Sequence, residues 1–491
     1  MKMLPRILIV VTAALCALAA LPAASPASRG FSLGILDPVA LSPPTAADGD
    51  LVFARMKSAG AQFVRTSVDW YAIAPAPNAA EKPAGFNARN PTDPLYHWEV
   101  LDAFMRRAAA QSLTPIVTTL SAPFWAQGEG RADESPAWKP QPADYKDFGI
   151  AMARRYSGRT ADPANPGVNL PRLRYYQAWN EPNFNRYLAP LKVDDKITGP
   201  RMYVNLLNAF YDGVKSVNRS NMVLGAGMGP FGYNGDSRDM DPQLFIRKVF
   251  CLKGTPRRQT RDTRCGHAKP KFDIWAQHPY TLEGTPTSKG ISPDAGAMGN
   301  VPAIKHTLDR AASLGTLGVK GRRPLWITEL DWMSDPPGYS NLGKPVAEHA
   351  RYLSEAAYRL WRWGASVMIW YELRDQGQVE SAGAWPGGLY FAGDTIAADK
   401  PKPALRAFRL PFYASRSANG VYVWALVDGG GRTRLRIERK DREGWRTITT
   451  KRTDSNGVLS TRIRSFNDAY YRARSLDGKR RGLVSWPYLS G

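Results

Sequence analysis

The chain has 491 residues, of which 43% are hydrophobic and 11% are aromatic, and it contains 15 tryptophans. This composition can bury a large core, so a small disulfide-held scaffold and a globally disordered chain are both excluded. The 66 basic residues outnumber the 43 acidic ones and give a formal charge of +23, which favours anionic partners without defining a fold.

The first 27 residues have the three-part pattern of a secretory signal peptide. Lys2 and Arg6 precede an apolar run at 7–21, and small residues follow at 22–27. The apolar run is shorter than the ~20 residues that span a bilayer, and no later run is as long. We therefore predict cleavage near Ala24 or Ala27 and a secreted, extracellular protein without a membrane span.

Removal of the predicted leader would take Cys16 with it and leave two of the three cysteines. In an oxidising compartment we expect Cys251 and Cys265 to form a disulfide, which would stabilise the chain by about 3 kcal/mol. A zinc site that uses both cysteines and His267 is the alternative, but it lacks an evident fourth ligand.

Residues 28–410 alternate between short β-branched or aromatic segments and segments with helical periodicity. Eight strands are predicted, at 32–36, 62–68, 114–120, 174–179, 222–226, 272–277, 325–328 and 366–370. Strands that alternate with amphipathic helices are typical of a parallel sheet. Eight such units over this length predict a closed (β/α)8 TIM barrel, and an open doubly wound sheet is the alternative.

Residues 411–491 lose the helical periodicity and predict a small all-β, sandwich-like domain, here called the C-terminal module. Its strands are predicted at 421–427, 433–439, 445–450, 458–463 and 469–474, between turn signals. Arg432, Arg434 and Arg436 alternate with apolar or hydroxyl residues and therefore share one face of a strand. This face is either merely solvated or binds an anionic wall or matrix polymer.

Two glutamates follow predicted strands of the barrel. Glu181 comes after strand four in the sequence Trp-Asn-Glu-Pro-Asn at 179–183, and Glu329 comes after strand seven in Ile-Thr-Glu at 327–329. Functional groups of a (β/α)8 barrel lie at the C-terminal ends of its strands. A charged side chain after an apolar strand can also serve only as a helix N-terminal charge, so each glutamate alone is a weak signal.

These elements resemble the acid/base motif and the nucleophile strand of the clan A retaining glycoside hydrolases. Within that clan they are similar to the family of β-xylosidases and α-iduronidases and to the cellulase-type families. The resemblance implies a hydrolase that cleaves a β-linked poly- or oligosaccharide by double displacement, with Glu181 as acid/base and Glu329 as nucleophile. No cofactor or metal ion is expected, because two carboxyl groups and water suffice.

Further polar residues match the clan's pattern. The resemblance implies that Asn180 binds the sugar 2-hydroxyl and that Tyr280, in the His278-Pro279-Tyr280 element after strand six, orients the nucleophile. Arg65, late in strand two, matches the arginine that keeps the nucleophile ionised. The joint occurrence of these residues favours catalysis over an incidental surface charge.

Aromatic residues near strand ends complete the predicted site. Trp370, which ends strand eight, resembles the clan's floor under the reacting sugar. Flat rings that lose little entropy on burial suit stacking against sugars, so we expect the same role for three other tryptophans, Trp70, Trp125 and Trp332.

Other functions are left as alternatives. A carbohydrate-binding protein could use the same scaffold without catalysis, and a transglycosylase would pass the covalent intermediate to a sugar. The glycine pattern at 227–232 is similar to a dinucleotide-binding loop, but no helix pattern follows it, which favours an ordinary loop. The positive charge would also attract nucleic acid, but we do not expect nucleic acid to be the partner of a secreted barrel with sugar-site motifs.

Overall fold

The computed structural model describes residues 27–131, 135–194, 196–233, 238–336, 342–376, 385–466 and 468–491. The predicted signal peptide lies outside the described residues except for its last position. Among the residues described, no helix is both long enough and apolar enough to cross a membrane.

Eight parallel strands close into a barrel, which confirms the predicted fold. Each strand pairs with its neighbours in chain order, and the first pairs with the last. The strands are β1 Ser32–Leu36, β2 Phe63–Asp69, β3 Thr114–Leu120, β4 Tyr175–Ala178, β5 Met222–Met228, β6 Ile274–Gln277, β7 Leu325–Leu330 and β8 Ala365–Tyr371. Closure excludes the open doubly wound sheet.

One main helix follows each strand and covers the outside of the barrel. These helices are α1 Ala46–Ala59, α2 Glu99–Ala110, α3 Pro142–Arg155, α4 Gly199–Val217, α5 Pro242–Val249, α6 Val301–Ser313, α7 Val346–Arg362 and α8 Pro403–Arg409. Local sequence sets their ends. The Thr45 side chain accepts a hydrogen bond from the Asp48 N–H at the start of α1, and Gly60 ends that helix with φ +95°.

Alternation along the strands divides the barrel into an apolar interior and a polar end. Leu36, Ile116, Leu224, Val367 and Ile369 belong to the apolar cluster inside the barrel. Side chains two residues apart on a strand share a face, and the interior positions nearer the C-terminal ends carry polar groups. The barrel is therefore a packed core with functional groups at one end.

The C-terminal module is a β-sandwich. Its strands are β9 Phe412–Ser417, β10 Gly420–Leu426, β11 Arg434–Asp441, β12 Gly444–Arg452, β13 Val458–Ile463, β14 Tyr470–Ser475 and β15 Tyr488–Leu489. Antiparallel sheets of order β9-β10-β13 and β12-β11-β14-β15 enclose a common core. All five predicted strands are present, and β9 and β15 are additional.

The first sheet of the module packs against helix α7 of the barrel. Tyr413 of β9 stacks on Tyr358 of α7 at a ring-centroid distance of 4.0 Å, and Trp424 of β10 lies against Trp361 at 5.8 Å. The carboxylate of Asp428 adds a polar contact, because it accepts hydrogen bonds from the Leu33 N–H and the Gln62 amide. Burial raises the pKa of Asp428 to about 7, although the hydrogen bonds act against this rise.

Cys251 and Cys265 form a disulfide with a Cα–Cα distance of 5.4 Å, which confirms that prediction. The bond closes a loop that contains the hairpin of Leu252–Thr255 and Arg258–Arg261. His267 lies beside it, with Nε2 3.2 Å from the Cys265 sulfur. Since both sulfurs are consumed by the disulfide, they are not available to bind zinc.

Candidate active site

A cleft of about 740 Å³ opens at the C-terminal ends of the barrel strands. Both predicted catalytic glutamates line it. A second concavity of about 820 Å³ lies on the flank of the barrel, between the hairpin at 252–261 and helix α6. The described residues that line this second concavity include no Asp or Glu, so it lacks carboxyl groups for acid–base chemistry.

A sharp turn after β4 brings Glu181 to the cleft. Trp179 and Glu181 both adopt positive φ values, 72° and 40°, a conformation that costs a non-glycine residue of order 1–3 kcal/mol and is concentrated at functional sites. The Glu181 N–H donates to the Gly227 carbonyl at 2.9 Å and ties the turn to the end of β5. Glu181 as a whole residue is 6% exposed.

Gly227 allows the ends of β5 and β6 to approach each other. Its φ is +60°, and a Cβ at this position would lie 2.3 Å from Nε2 of Gln177 and 2.8 Å from Nε2 of His278. The glycine-containing segment ends β5 and leads into a loop, and helix α5 begins only at Pro242. This arrangement fits the predicted loop and not a dinucleotide-binding turn.

Arg65 joins the two elements that carry Glu181 and Glu329 from inside the barrel. It is fully buried, and Nη1 donates to Oε1 of Glu329 at 2.5 Å while Nη2 donates to Oδ1 of Asn180 at 3.0 Å. Nε donates to the Thr118 hydroxyl at 3.0 Å, and Nη1 also reaches the Thr328 carbonyl at 3.2 Å. One guanidinium therefore joins the ends of β2, β3, β4 and β7.

His278 and Tyr280, which follow β6, complete the contacts of the two glutamates. Nδ1 of His278 lies 3.2 Å from Oε1 of Glu181 and 3.5 Å from Oε2 of Glu329, and Nε2 lies 3.0 Å from the Thr328 hydroxyl. The Tyr280 hydroxyl donates to Oε2 of Glu329 at 3.1 Å. Burial and then the charge of Glu329 raise the pKa of Tyr280 well above 10, so this phenol remains a donor.

Glu181 and Glu329 lie close together in unlike environments. One oxygen of each carboxyl group and a nitrogen of His278 all lie within 4.8 Å of one another. Burial alone would raise the pKa of Glu329, but the charges of His278 and Arg65 and the hydrogen bonds from Arg65 and Tyr280 outweigh it. The pKa of Glu329 is therefore lowered from its ordinary value of 4.5.

Asn180 is oriented by the same network. Its Oδ1 accepts from Arg65, which leaves the amide N–H groups as its donors toward a ligand. The residue is 7% exposed and lines the cleft next to Glu181. The structure thus brings together all six predicted polar residues: Arg65, Asn180, Glu181, His278, Tyr280 and Glu329.

Comparison with known proteins identifies the fold. No protein-family model matches the sequence, and no curated protein matches it. A family 39 glycoside hydrolase from the gut symbiont Bacteroides cellulosilyticus WH2 has a similar structure, with a TM-score of 0.54 and 18% identity over 89% of this chain and 79% of that one. This chain has the fold of a clan A glycoside hydrolase.

Two other glycosidase structures match at lower scores. A glucosidase from Croceicoccus marinus has a TM-score of 0.49 and 12% identity over 90% of this chain and 94% of its own. A β-xylosidase from Caulobacter crescentus CB15 has a TM-score of 0.48 and 14% identity over 94% of this chain and 95% of its own.

The four tryptophans predicted to stack on sugar lie elsewhere in this glycosidase fold. Trp70, Trp332 and Trp370 are at most 1% exposed, Trp125 is 8% exposed, and all four belong to the core between the barrel and its helices and not to the lining of the cleft. The alternation of side chains along β8 explains why Trp370 lies outside the cleft. Val367 and Ile369 point into the barrel, so Trp370 points outward and donates to the Gly387 carbonyl at 2.9 Å.

Besides Tyr280, which was predicted, the cleft is lined by aromatic residues that sequence reasoning missed. Tyr371, one residue after Trp370, shares the interior face of β8, and Tyr187 follows Glu181 in the same loop. Strand alternation and the position in the loop could have indicated these two. Trp385, whose indole N–H donates to Asp331, lies in the long segment after β8 and has no signal of this kind.

The loop after β4 that carries Glu181 and Tyr187 also contributes Arg186, another residue that sequence reasoning missed. Its Nη2 lies 3.8 Å from Oε2 of Glu181, and its guanidinium carbon lies 4.7 Å from the ring centroid of Tyr187. Its side chain is 55% exposed. The rim of the cleft is therefore positively charged beside Glu181.

The described residues include two clusters with metal-ligand composition. The one that contains the cysteines is a disulfide. The other comprises Glu181, His278 and Glu329, where the Arg65 guanidinium already supplies positive charge to a Glu329 oxygen. A cation bound there would be repelled by Arg65, so this donor set suits acid–base chemistry better than metal binding.

Proposed function

We propose that this protein is a secreted retaining O-glycosyl hydrolase that cleaves a β-linked poly- or oligosaccharide. The separation of Glu181 and Glu329 carries the proposal, because an oxygen of each lies within 4.8 Å of the other. Retaining enzymes place their carboxyl groups about 5–5.5 Å apart, whereas inverting enzymes leave about 6.5–9.5 Å for a water molecule.

The environments of the two glutamates support distinct roles. Arg65 and His278 favour the ionised form of Glu329, and Glu329 therefore attacks the anomeric carbon while Glu181 gives its proton to the departing glycosidic oxygen. Glu181 then takes a proton from water, and the resulting hydroxide displaces Glu329 from the sugar. The Asn180 amide donates to the sugar 2-hydroxyl, an interaction that strengthens in the transition state.

The cleft and the sequence support the remaining parts of the proposal. A cleft of about 740 Å³ with Tyr187, Tyr371 and Trp385 in its lining offers rings for stacking on sugar units. Secretion is supported by the leader pattern and by the disulfide, since disulfides persist in oxidising compartments.

The test is hydrolysis of aryl β-glycosides and of plant and bacterial polysaccharides by the purified mature protein. Glu329→Ala should abolish hydrolysis, and Glu181→Ala should slow it about 10²–10⁴-fold for substrates that need acid assistance. Azide should rescue Glu329→Ala with inverted configuration and Glu181→Ala with retained configuration. Glu283→Ala, which removes an exposed carboxylate next to cleft-lining Leu282, is the control and should remain active.

Other results would assign a different function. Binding of a glycan without cleavage would favour the carbohydrate-binding protein. Transfer to an added acceptor sugar in preference to water would favour the transglycosylase. Full activity of Glu329→Ala would contradict double displacement through this residue.

A further inference from the structure

The second sheet of the C-terminal module presents a basic face to solvent. On β11, Leu435 and Ile437 point into the core of the sandwich, so their neighbours Arg434 and Arg436 point outward. Residues directly opposite each other on antiparallel strands share a face. The register adds Arg452 of β12 and Arg474 of β14 to what we call the arginine face: Arg434, Arg436, Arg452 and Arg474.

The arginine face contains unfavourable pairs of like charge. Arg434 lies opposite Arg452, and Arg436 lies opposite Arg474, an arrangement that destabilises an antiparallel sheet. Across the part of the chain that the structure describes, none of these four side chains forms an ion pair or a hydrogen bond. An external anion would relieve the repulsion that the fold maintains here.

The surroundings of the arginine face suit an extended, hydroxyl-rich chain. Arg472 pairs with Glu438 at 2.6 Å and lies over the ring of Trp445 at 4.2 Å. Thr447 and Thr450 project from β12 onto the same face. The guanidinium group is planar and binds a carboxylate through two parallel hydrogen bonds. Rows of arginines beside hydroxyls and an aromatic ring thus match sugar units that bear carboxylates.

We propose that the arginine face binds a uronate polysaccharide. The choice of a glycan over other polyanions rests on the proposed function of the barrel, but binding at this face does not require hydrolysis. None of the four arginines lines the cleft that contains Glu181 and Glu329, so the arginine face is a separate site.

The test compares two variants of the mature protein that each lose three positive charges. The face variant is Arg434→Gln with Arg436→Gln and Arg474→Gln. The control variant is Lys57→Gln with Lys479→Gln and Arg481→Gln, which are exposed side chains around a groove between the barrel and the module. Kd values for polygalacturonate, neutral dextran, dextran sulfate and single-stranded DNA are measured by calorimetry at several salt concentrations.

We expect the face variant to bind polygalacturonate at least tenfold more weakly than the wild type, and the control variant less than twofold. Affinity should fall steeply with salt, and dextran should not bind. The Tm of the face variant should equal or exceed that of the wild type, because like charges are removed. Glu329→Ala should bind as tightly as the wild type, which separates this site from the proposed hydrolysis.

Three results would overturn the proposal. Equal losses in the two variants would mean that only overall charge matters. If the wild type did not bind polygalacturonate, the proposed ligand would be wrong. DNA or dextran sulfate bound as tightly as polygalacturonate would make the surface a general polyanion site. If the barrel hydrolyses no glycan while the face variant behaves as expected, the proposed function fails and the binding site stands.

Discussion

Arg65 shows how a single buried side chain can set the geometry of a site built from four strands. Its guanidinium bonds to Thr118, Asn180 and Glu329 and is fully buried. A buried charge is costly unless it is paired and hydrogen-bonded, and Arg65 meets this condition only when its partners stand in these positions. The same contacts hold Glu329 ionised and leave the Asn180 amide to donate.

Two substitutions of Arg65 distinguish the effect of its positive charge from the effect of its shape. Arg65→Gln should lower kcat/KM about 10²–10³-fold, as loss of a preorganised donor does. Because a positive charge is lost, the pKa of Glu329 should rise and the acidic limb of the pH profile should move to higher pH. Arg65→Lys should lower activity but keep the limb nearer its original pH. The measurement is the pH profile with an aryl glycoside that the wild type hydrolyses, and an unmoved limb in Arg65→Gln would contradict this role.

Strand β8 illustrates what the sequence can and cannot specify at the scale of an element. Its position is evident from its apolar run, but the choice between Trp370 and Tyr371 as the cleft residue depends on which face points inward. A shift of one residue exchanges the faces of a strand. That choice is fixed by the closed barrel, in which Val367 and Ile369 belong to the interior.

Substitutions at these two neighbours should have opposite effects. Trp370→Ala should destabilise the protein by about 3–5 kcal/mol, because it empties a large buried site, with little change in KM for the protein that remains folded. Tyr371→Ala should raise KM several-fold and cost less than half as much stability. Urea unfolding and steady-state kinetics measure both. If only Trp370→Ala raised KM, then Trp370 and not Tyr371 would be the residue that contacts the substrate.

The disulfide acts on another element, the hairpin between Cys251 and Cys265. The double variant Cys251→Ser with Cys265→Ser should lose about 3 kcal/mol of unfolding free energy, because the loop gains entropy in the unfolded state. Denaturant unfolding measures the loss. Wild type treated with a reducing agent should behave like the double variant, while the double variant itself should not respond to that agent.

At the scale of the whole molecule, the fold was more accessible from sequence than its internal contacts. The eight strands follow from periodicity, and the two glutamates follow from their positions at strand ends. The other polar site residues were expected from the resemblance to a known clan. Strand β9 was missed because Tyr413 packs on helix α7 while its neighbours Phe412 and Ala414 face the module core, so no polar alternation marks it. Strand β15 has two residues, too few for a pattern. Among the cleft aromatics, Trp385 depends on tertiary packing that no local pattern encodes.

The contact between barrel and module should depend on pH through Asp428. Its pKa is raised by burial from 3.8 to about 7, so between these values the folded state binds more protons than the unfolded state. Stability therefore falls as pH rises through this window. Asp428→Asn should flatten the dependence of unfolding free energy on pH between about 4 and 7. Asp454→Asn, on an exposed turn of the module, is the control and should leave the dependence as in the wild type.

The junction between the two parts of the chain consists of Leu410 and Pro411, both buried between the end of α8 and the start of β9. Such a short, packed connection allows no swivelling, in contrast to the flexible linkers that join many independent domains. A polymer held on the module would therefore meet the cleft at one distance and one angle. Cleavage of an anchored chain would then yield fragments of a preferred length, whereas unanchored chains would be cut without such a preference.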